Sequence, residues 1–243
     1  MDIGIIGSGR VGLALGALWS AAGHHVLVGS RAPRPLAPRL RALGPLARAG
    51  TPAEAARFGE AVLEAIPFHA TPDLPADALR GKVVLTASNW FPERDGSQRF
   101  DGLSQSEWVA AWLPEARVVK AFNALPVALL EASARGERPR PFGVPASLYA
   151  GGDPAAAATA SGLIRAARLD PVWAGPLPEG RLFEPRTGPL FGLEATRTEM
   201  EHRLDTLRLN RQRVDHARAA AKSLVSEAAR GWARERPGAG ATR

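Results

Sequence analysis

The chain opens on Ile3-Gly4-Ile5-Ile6, a run with no polar position, and passes straight into a cluster of glycines. Such a run fits a central strand buried on both faces. A helix is expected over residues 10–22, stopped by Gly23 at the usual C-terminal glycine position. Val26-Leu27-Val28 predicts a second strand. Thr51-Pro52, with Glu54 three residues after the threonine, reads as a capping box with proline at the first helical position. Further strands are expected over residues 61–66, 82–86, 117–122, 147–150 and 170–173. Helices are expected over 106–113 and from Asp153-Pro154 to about residue 168. Residues 135–145 read as an exposed loop. Glu64 interrupts the third apolar run, and nothing in the sequence accounts for it.

Strands alternate with helices, so the expected fold is α/β: a Rossmann-type, doubly wound, mostly parallel sheet with a C-terminal helical extension. The domain reading is a nucleotide-binding domain over 1–180 and a helical segment over 181–243. From about Leu193, apolar residues recur three and four apart: Met200, Leu204, Leu207, Val214, Ala221, Val225, Ala228 and Trp232, with Arg211 and Arg218 in two slots. A helix from there to Trp232 would run roughly 60 Å if unbroken. Its stripe either packs on its own domain, with a turn back at Asn210, or pairs with a second subunit. We expect a homodimer, the commonest closed assembly, and a disordered tail after Pro237.

Composition narrows the picture. The chain has 243 residues, no cysteine and a formal charge of +7. Disulfides and thiolate metal sites are excluded, and the five histidines have no metal-ligand spacing, so no metal is expected. The arginines are scattered rather than clustered with aromatics, which argues against nucleic acid and for small anionic ligands. Residues 11–30 lack Asp, Glu, Lys and Arg, but Gly23-His24-His25 breaks the stretch. It reads as helix, turn and strand rather than a membrane span or a leader, so no membrane partner and a cytoplasmic location are expected.

The chemistry sits just after the strands. Gly7-Ser8-Gly9-Arg10-Val11-Gly12 is a G-x-G-x-x-G motif between a strand and a helix, the context that supports dinucleotide binding. Gly7 permits the tight turn, Gly9 lets the pyrophosphate approach the backbone, and Gly12 lets helix and strand pack closely. The second strand ends in Gly29-Ser30-Arg31, with Arg34 following and no acid between Val26 and Pro52. A carboxylate there would repel an adenosine 2′-phosphate, whereas a hydroxyl and guanidiniums bind it. The cofactor expected is NADP(H).

The stretch GIIGSGRVGLALGALWSAAGHHVLVGSR, with AIPFHA at 65–70, VVKAFNALP at 118–126 and WAGPLPEGRLFEP at 173–185, resembles the deazaflavin-dependent NADP reductases over about residues 1–190. The resemblance implies hydride exchange between NADP(H) and an 8-hydroxy-5-deazaflavin. It implies NADP contacts at Ser8, Arg10, Ser30, Arg31 and Arg34, and at Ile66-Pro67 and Ala87-Ser88 beside the nicotinamide half. It implies a deazaflavin side lined by Phe68, His69, Asn89, Asn123, Leu125, Pro126 and Gly175-Pro176-Leu177. The chain departs from the archaeal pattern at Ser88-Asn89-Trp90-Phe91 and at Asn123, where a histidine is expected.

His69 and Asn123 are the candidate catalytic residues. His69 could hydrogen-bond a substrate or act as an acid; otherwise it is a polar loop residue. Asn89 and Asn123 could contact ligand or cap turns. Lys120 and Asn123, three apart, would lie on opposite faces of a strand, which speaks against a joint role. No other acid–base constellation stands out, as suits a protein that mainly positions two rings. Two alternatives stay open: an NADPH-dependent imine or carbonyl reductase of a small metabolite, and a non-catalytic NADP-sensing protein.

Overall fold

The computed structural model describes residues 1–33, 36–137, 143–186 and 188–234, with backbone alone for 37–38 and 216–234. Among these, the strands are β1 Asp2–Ile6, β2 His25–Gly29, β3 Ala47–Gly50, β4 Ala61–Glu64, β5 Val83–Thr86, β6 Arg117–Ala121, β7 Ala146–Ala150 and β8 Asp170–Gly175. The helices are α1 Arg10–Ala21, α2 Ala37–Leu40, α3 Pro52–Phe58, α4 Ala76–Leu79, α5 Pro92–Asp95, α6 Gln105–Trp112, α7 Val127–Ala134, α8 Pro154–Ala166 and α9 Arg197–Arg234. Segments Phe68–Asp73 and Leu177–Phe183 are 3-10 helical.

The strands form one sheet in the order β3-β2-β1-β4-β5-β6-β7-β8. All neighbours are parallel except β6 and β7. The order reverses between β1 and β4, so a ligand crevice is expected outside the carboxyl ends of those two strands. The Rossmann-type, doubly wound fold read from the sequence is the one observed. The short helices α2, α4 and α5 went unread, as did β3 and α7. The edge strand β3 is Ala-Arg-Ala-Gly, with too little apolar content to signal a strand; an arginine on an edge also blunts unwanted pairing. Helix α7 follows Pro126 without a capping side chain.

Each sheet face carries a hydrophobic layer. On one, Leu15, Leu18 and Trp19 of α1 meet Ala160, Leu163 and Ile164 of α8 over Ile3, Ile5, Leu63 and Leu85. The Trp19 indole N–H donates to the Leu163 carbonyl at 2.9 Å, so the buried ring has no unmet polar atom. On the other face, Ala55 and Ala56 of α3 and Val109 of α6 cover Val62, Val84 and Val118. Helices α3, α6 and α8 start on side-chain caps from Thr51, Ser104 and Asp153, the first two as capping boxes.

The chain divides into two compact units, Met1–Met200 and Glu201–Arg243. Residues 181–200 belong to the first: Leu182, Phe183, Glu184 and Leu190 are all buried in it. Helix α9 comprises 38 residues and continues through Asn210. Of the stripe read from the sequence, Met200 is buried, whereas Val214 is 49% exposed; the side chains of Ala221, Val225, Ala228 and Trp232 lie outside the described residues.

Candidate active site

The glycine motif divides by what each glycine answers to. Gly7 has φ +124, and a Cβ there would stand 2.3 Å from the Ala65 carbonyl oxygen. A Cβ on Gly12 would stand 2.1 Å from the Gly7 oxygen. Both glycines are therefore required by the fold. Gly9 is not. Its φ of −76° suits any residue, and a Cβ there would meet no protein atom within 4 Å. Gly9 is also the N-cap of α1, which has no capping side chain and no acid in its first turn. Free amides, a positive dipole end and a bare backbone together make a cradle for a phosphate. A dinucleotide pyrophosphate fits it.

The cradle opens into a cavity of about 320 Å³ bounded by Gly7–Gly9, Gly29–Arg31, Pro52 and Ala65–Pro67. The Ser8 hydroxyl donates to that of Ser30 at 3.3 Å, joining the glycine loop to the β2 end. The Ser30 hydroxyl in turn accepts from the Ala32 amide at 3.2 Å. Arg31 is exposed at the mouth. Arg34 lies outside the described residues. Arg10 turns away to a two-point ion pair with Glu131 of α7, at 2.7 and 2.6 Å. Val11 is half-buried against the core beneath the loop.

Next to this cleft the sheet register lines up polar groups. Glu64 pairs with Thr86, and Thr86 with Lys120, so three neighbouring strands carry a polar side chain at one level. All three are fully buried. The Thr86 hydroxyl donates to Glu64 at 2.6 Å, and the Ile66 amide donates to it at 3.2 Å. Burial pushes the Glu64 carboxyl up from its ordinary value, against hydrogen bonds from Thr86, Ile66 and Ser88. The Lys120 ammonium donates to the Ser88 carbonyl at 2.5 Å. Burial pulls the Lys120 value down, opposed by the charges of Glu184 and Glu64. Glu184, 2% exposed, accepts from the Gln105 and Ser106 amides, each at 3.0 Å, at the start of α6.

The chain tips beyond β5 and β6 are clipped together. The Asn89 amide donates to the Asn123 carbonyl at 2.8 Å, and the Asn123 amide donates to the Asn89 side-chain oxygen at 3.1 Å and the Phe183 carbonyl at 2.8 Å. Phe122, with φ +63, turns the chain there and ends the strand alternation. Lys120 and Asn123, read as facing apart, thus engage adjacent residues, Ser88 and Asn89. The Asn123 Oδ1 is buried without a partner.

The chain is similar in part to a known family and, in fold, to several solved structures. Residues 2–90 match the family described as NADP oxidoreductase, coenzyme F420-dependent. A hypothetical protein from Sinorhizobium meliloti is similar in structure, with TM-score 0.70 and 27% identity over 81% of this chain and 95% of that one. A "putative F420 dependent NADP-reductase" from Arthrobacter sp. FB24 superposes with TM-score 0.60 at 24% identity, covering 74% of this chain and 87% of that one. An imine reductase from Streptomyces aurantiacus shares the fold, with TM-score 0.51 at 20% identity, covering 74% of this chain and 57% of that one. No curated protein matches the sequence. Among the described residues, no helix is long and apolar enough to cross a membrane, and no cluster of metal-ligating side chains occurs.

The remaining residues expected at the site are scattered. Ile66 and Pro67 line the dinucleotide cleft. Ala87 is half-buried and Ser88 is 4% exposed beside Glu64. Phe68 corrects the sequence reading: it is 1% exposed and stacks on Trp108 with ring centroids 4.7 Å apart, so it lies in the core and faces no ligand. Leu125 is half-buried against the core, and Pro126 precedes α7. Gly175, with φ +134, turns the chain out of β8; Pro176 is exposed, and the Leu177 carbonyl accepts from Ser106. A separate cavity of about 270 Å³, unread in the sequence, is walled by Trp90 and Phe100, floored by Glu184 and rimmed by Arg181 and Arg186.

Proposed function

We propose that the protein exchanges hydride between NADP(H) and a deazaflavin. The observation that carries the cofactor half is Gly9, a glycine the fold does not require at an uncapped helix start. Its neighbours Ser30 and Arg31 suit a 2′-phosphate. NADP(H), when bound, supplies the hydride or accepts it. The chain holds the phosphates on the α1 amides, orients the adenosine end with Ser30 and Arg31, and flanks the other end with Ala87 and Ser88. The aromatic cavity walled by Trp90 and Phe100 suits a planar second substrate, and the family match supports a deazaflavin.

Mixing the protein with NADPH and oxidised deazaflavin, and following both absorbances, tests this. Coupled loss of the two bands is expected. Turnover of cyclic imines but not deazaflavin would replace it with the imine reductase reading, which the shared fold with imine reductases favours. Tight NADPH binding with no turnover would make the protein a sensor. We further propose that α9 pairs two subunits, given its length and the exposed Leu209 and Val214. A monomeric mass by light scattering at micromolar concentration would contradict that pairing.

A further inference from the structure

His69 was a candidate for the second substrate, but its surroundings point elsewhere. It is the second residue of the 3-10 segment after β4, and its half-exposed ring lines the same cavity as Ser8, Ser30 and Arg31. Its Nδ1 lies 2.7 Å from Asp95 Oδ1. The Asp95 side chain has no exposed surface. It also accepts from the Phe91 amide at 2.9 Å, from Arg94 at 2.8 and 3.1 Å, and from the His69 amide at 3.3 Å. Burial alone would raise the Asp95 carboxyl, but the bonds from Arg94, Phe91 and His69 outweigh it and hold the group far below the usual carboxylate range. Asp95 is thus a fixed anion.

A fixed anion at that distance keeps a proton on Nδ1, so Nε2 is the nitrogen that gains or loses one. The cavity already offers donors: the glycine-loop amides, the Ser30 hydroxyl and Arg31. A neutral Nε2 would add a lone acceptor among donors. A protonated Nε2 adds one more donor and a charge, which complements a phosphate. The charged groups around the ring are Asp95 and Arg94 of α5, Arg31 after β2 and Asp73 of its own segment.

We infer that His69, oriented by Asp95, is a protonatable contact to a phosphate of the dinucleotide and makes its affinity depend on pH. This rests on the NADP reading of the cleft. Asp95 is a positioning residue: it also pins the segment after β4 to the segment after β5.

The test is calorimetric titration of the full-length protein with NADPH and with NADH at about pH 6 and about pH 8, across the histidine range. A 2′-phosphate titrates near the same pH, so the readout is the ratio of dissociation constants, His69→Gln over wild type. We expect a ratio of about ten at the acid end, one decade for a lost charge-assisted contact, and near one at the alkaline end. His69→Arg, permanently charged, should give a variant-to-wild-type ratio near one at the acid end and below one at the alkaline end. Asp95→Asn should shrink the ratio's pH dependence while circular dichroism stays unchanged. A loss with NADPH alone assigns the contact to the 2′-phosphate; an equal loss with NADH assigns it to the pyrophosphate. A ratio that is the same at both pH values, or unity throughout, overturns the inference. Turnover lost with affinity intact overturns it too, and makes His69 a proton donor. No NADPH binding by the wild type at any pH would instead sink the cofactor reading.

Discussion

Two polar regions meet at the carboxyl edge of the sheet, and they are built on opposite principles. The dinucleotide cleft at β1, α1 and β2 is assembled from residues close in sequence, is open to solvent, and leaves donors unspent: the α1 amides, Ser30 and Arg31. The row at β4, β5 and β6 is assembled from distant residues, is closed to solvent, and spends its groups on one another: Glu64 with Thr86, Lys120 with Ser88, Glu184 with α6. Unspent donors mark a site for a ligand. Spent ones mark the frame that sets where Ser88 and Asn89 stand.

The comparison breaks most sharply at Gly9. Gly9→Val fills space the fold leaves empty and blocks the phosphate approach. NADPH binding should fall beyond detection while circular dichroism and the thermal midpoint hold. Gly12→Val, by contrast, collides with the Gly7 carbonyl and should unfold the protein.

The buried row should fail in stability. Lys120→Ala leaves Glu184 and Glu64 without their nearby cation, and removing one partner of a buried charge group costs about 3–5 kcal/mol. Chemical denaturation should show that loss, and Lys120→Met, which keeps the apolar stem volume, a smaller one.

Arg31→Ala tests the open cleft more gently. It should weaken NADPH by about tenfold, near 1.4 kcal/mol, and NADH hardly at all. Equal losses in a titration would move the 2′-phosphate elsewhere.

The smallest effect is a slope. The Glu64 carboxyl is raised in the folded protein, so the native state binds the proton more tightly than the unfolded chain does. Its contribution is fully present below the unfolded value, about 4.3, and is lost as pH rises from there through the raised folded value. Glu64→Gln should remove that loss. The midpoint difference, variant minus wild type, should grow as pH rises above about 4 in thermal melts. A flat difference would mean that Glu64 titrates normally.

The sequence made the first region readable because its code is local. Six consecutive residues, and the two that follow β2, state the phosphate chemistry without knowledge of the sheet. The second region was opaque for the same reason inverted. Glu64 looked like a defect in an apolar strand until the register placed it beside Thr86 and Lys120. Lys120 and Asn123 were read by strand alternation, which Phe122 breaks with its positive φ. The family resemblance puts Phe68 on the ligand side, but the Trp108 stack takes it into the core. Some signals were present and unread: Ser104-x-x-Glu107 and Thr196-x-x-Glu199 are capping boxes that announce α6 and α9. Asp95 was invisible, since only the folded chain brings it to His69.

The central claim is that the open cleft is built for NADP(H). Equilibrium titration of the wild-type protein with NADPH and NADH side by side tests it most directly. The account predicts that NADPH binds at least ~100-fold tighter, about 2.7 kcal/mol; equal dissociation constants for the two would contradict it.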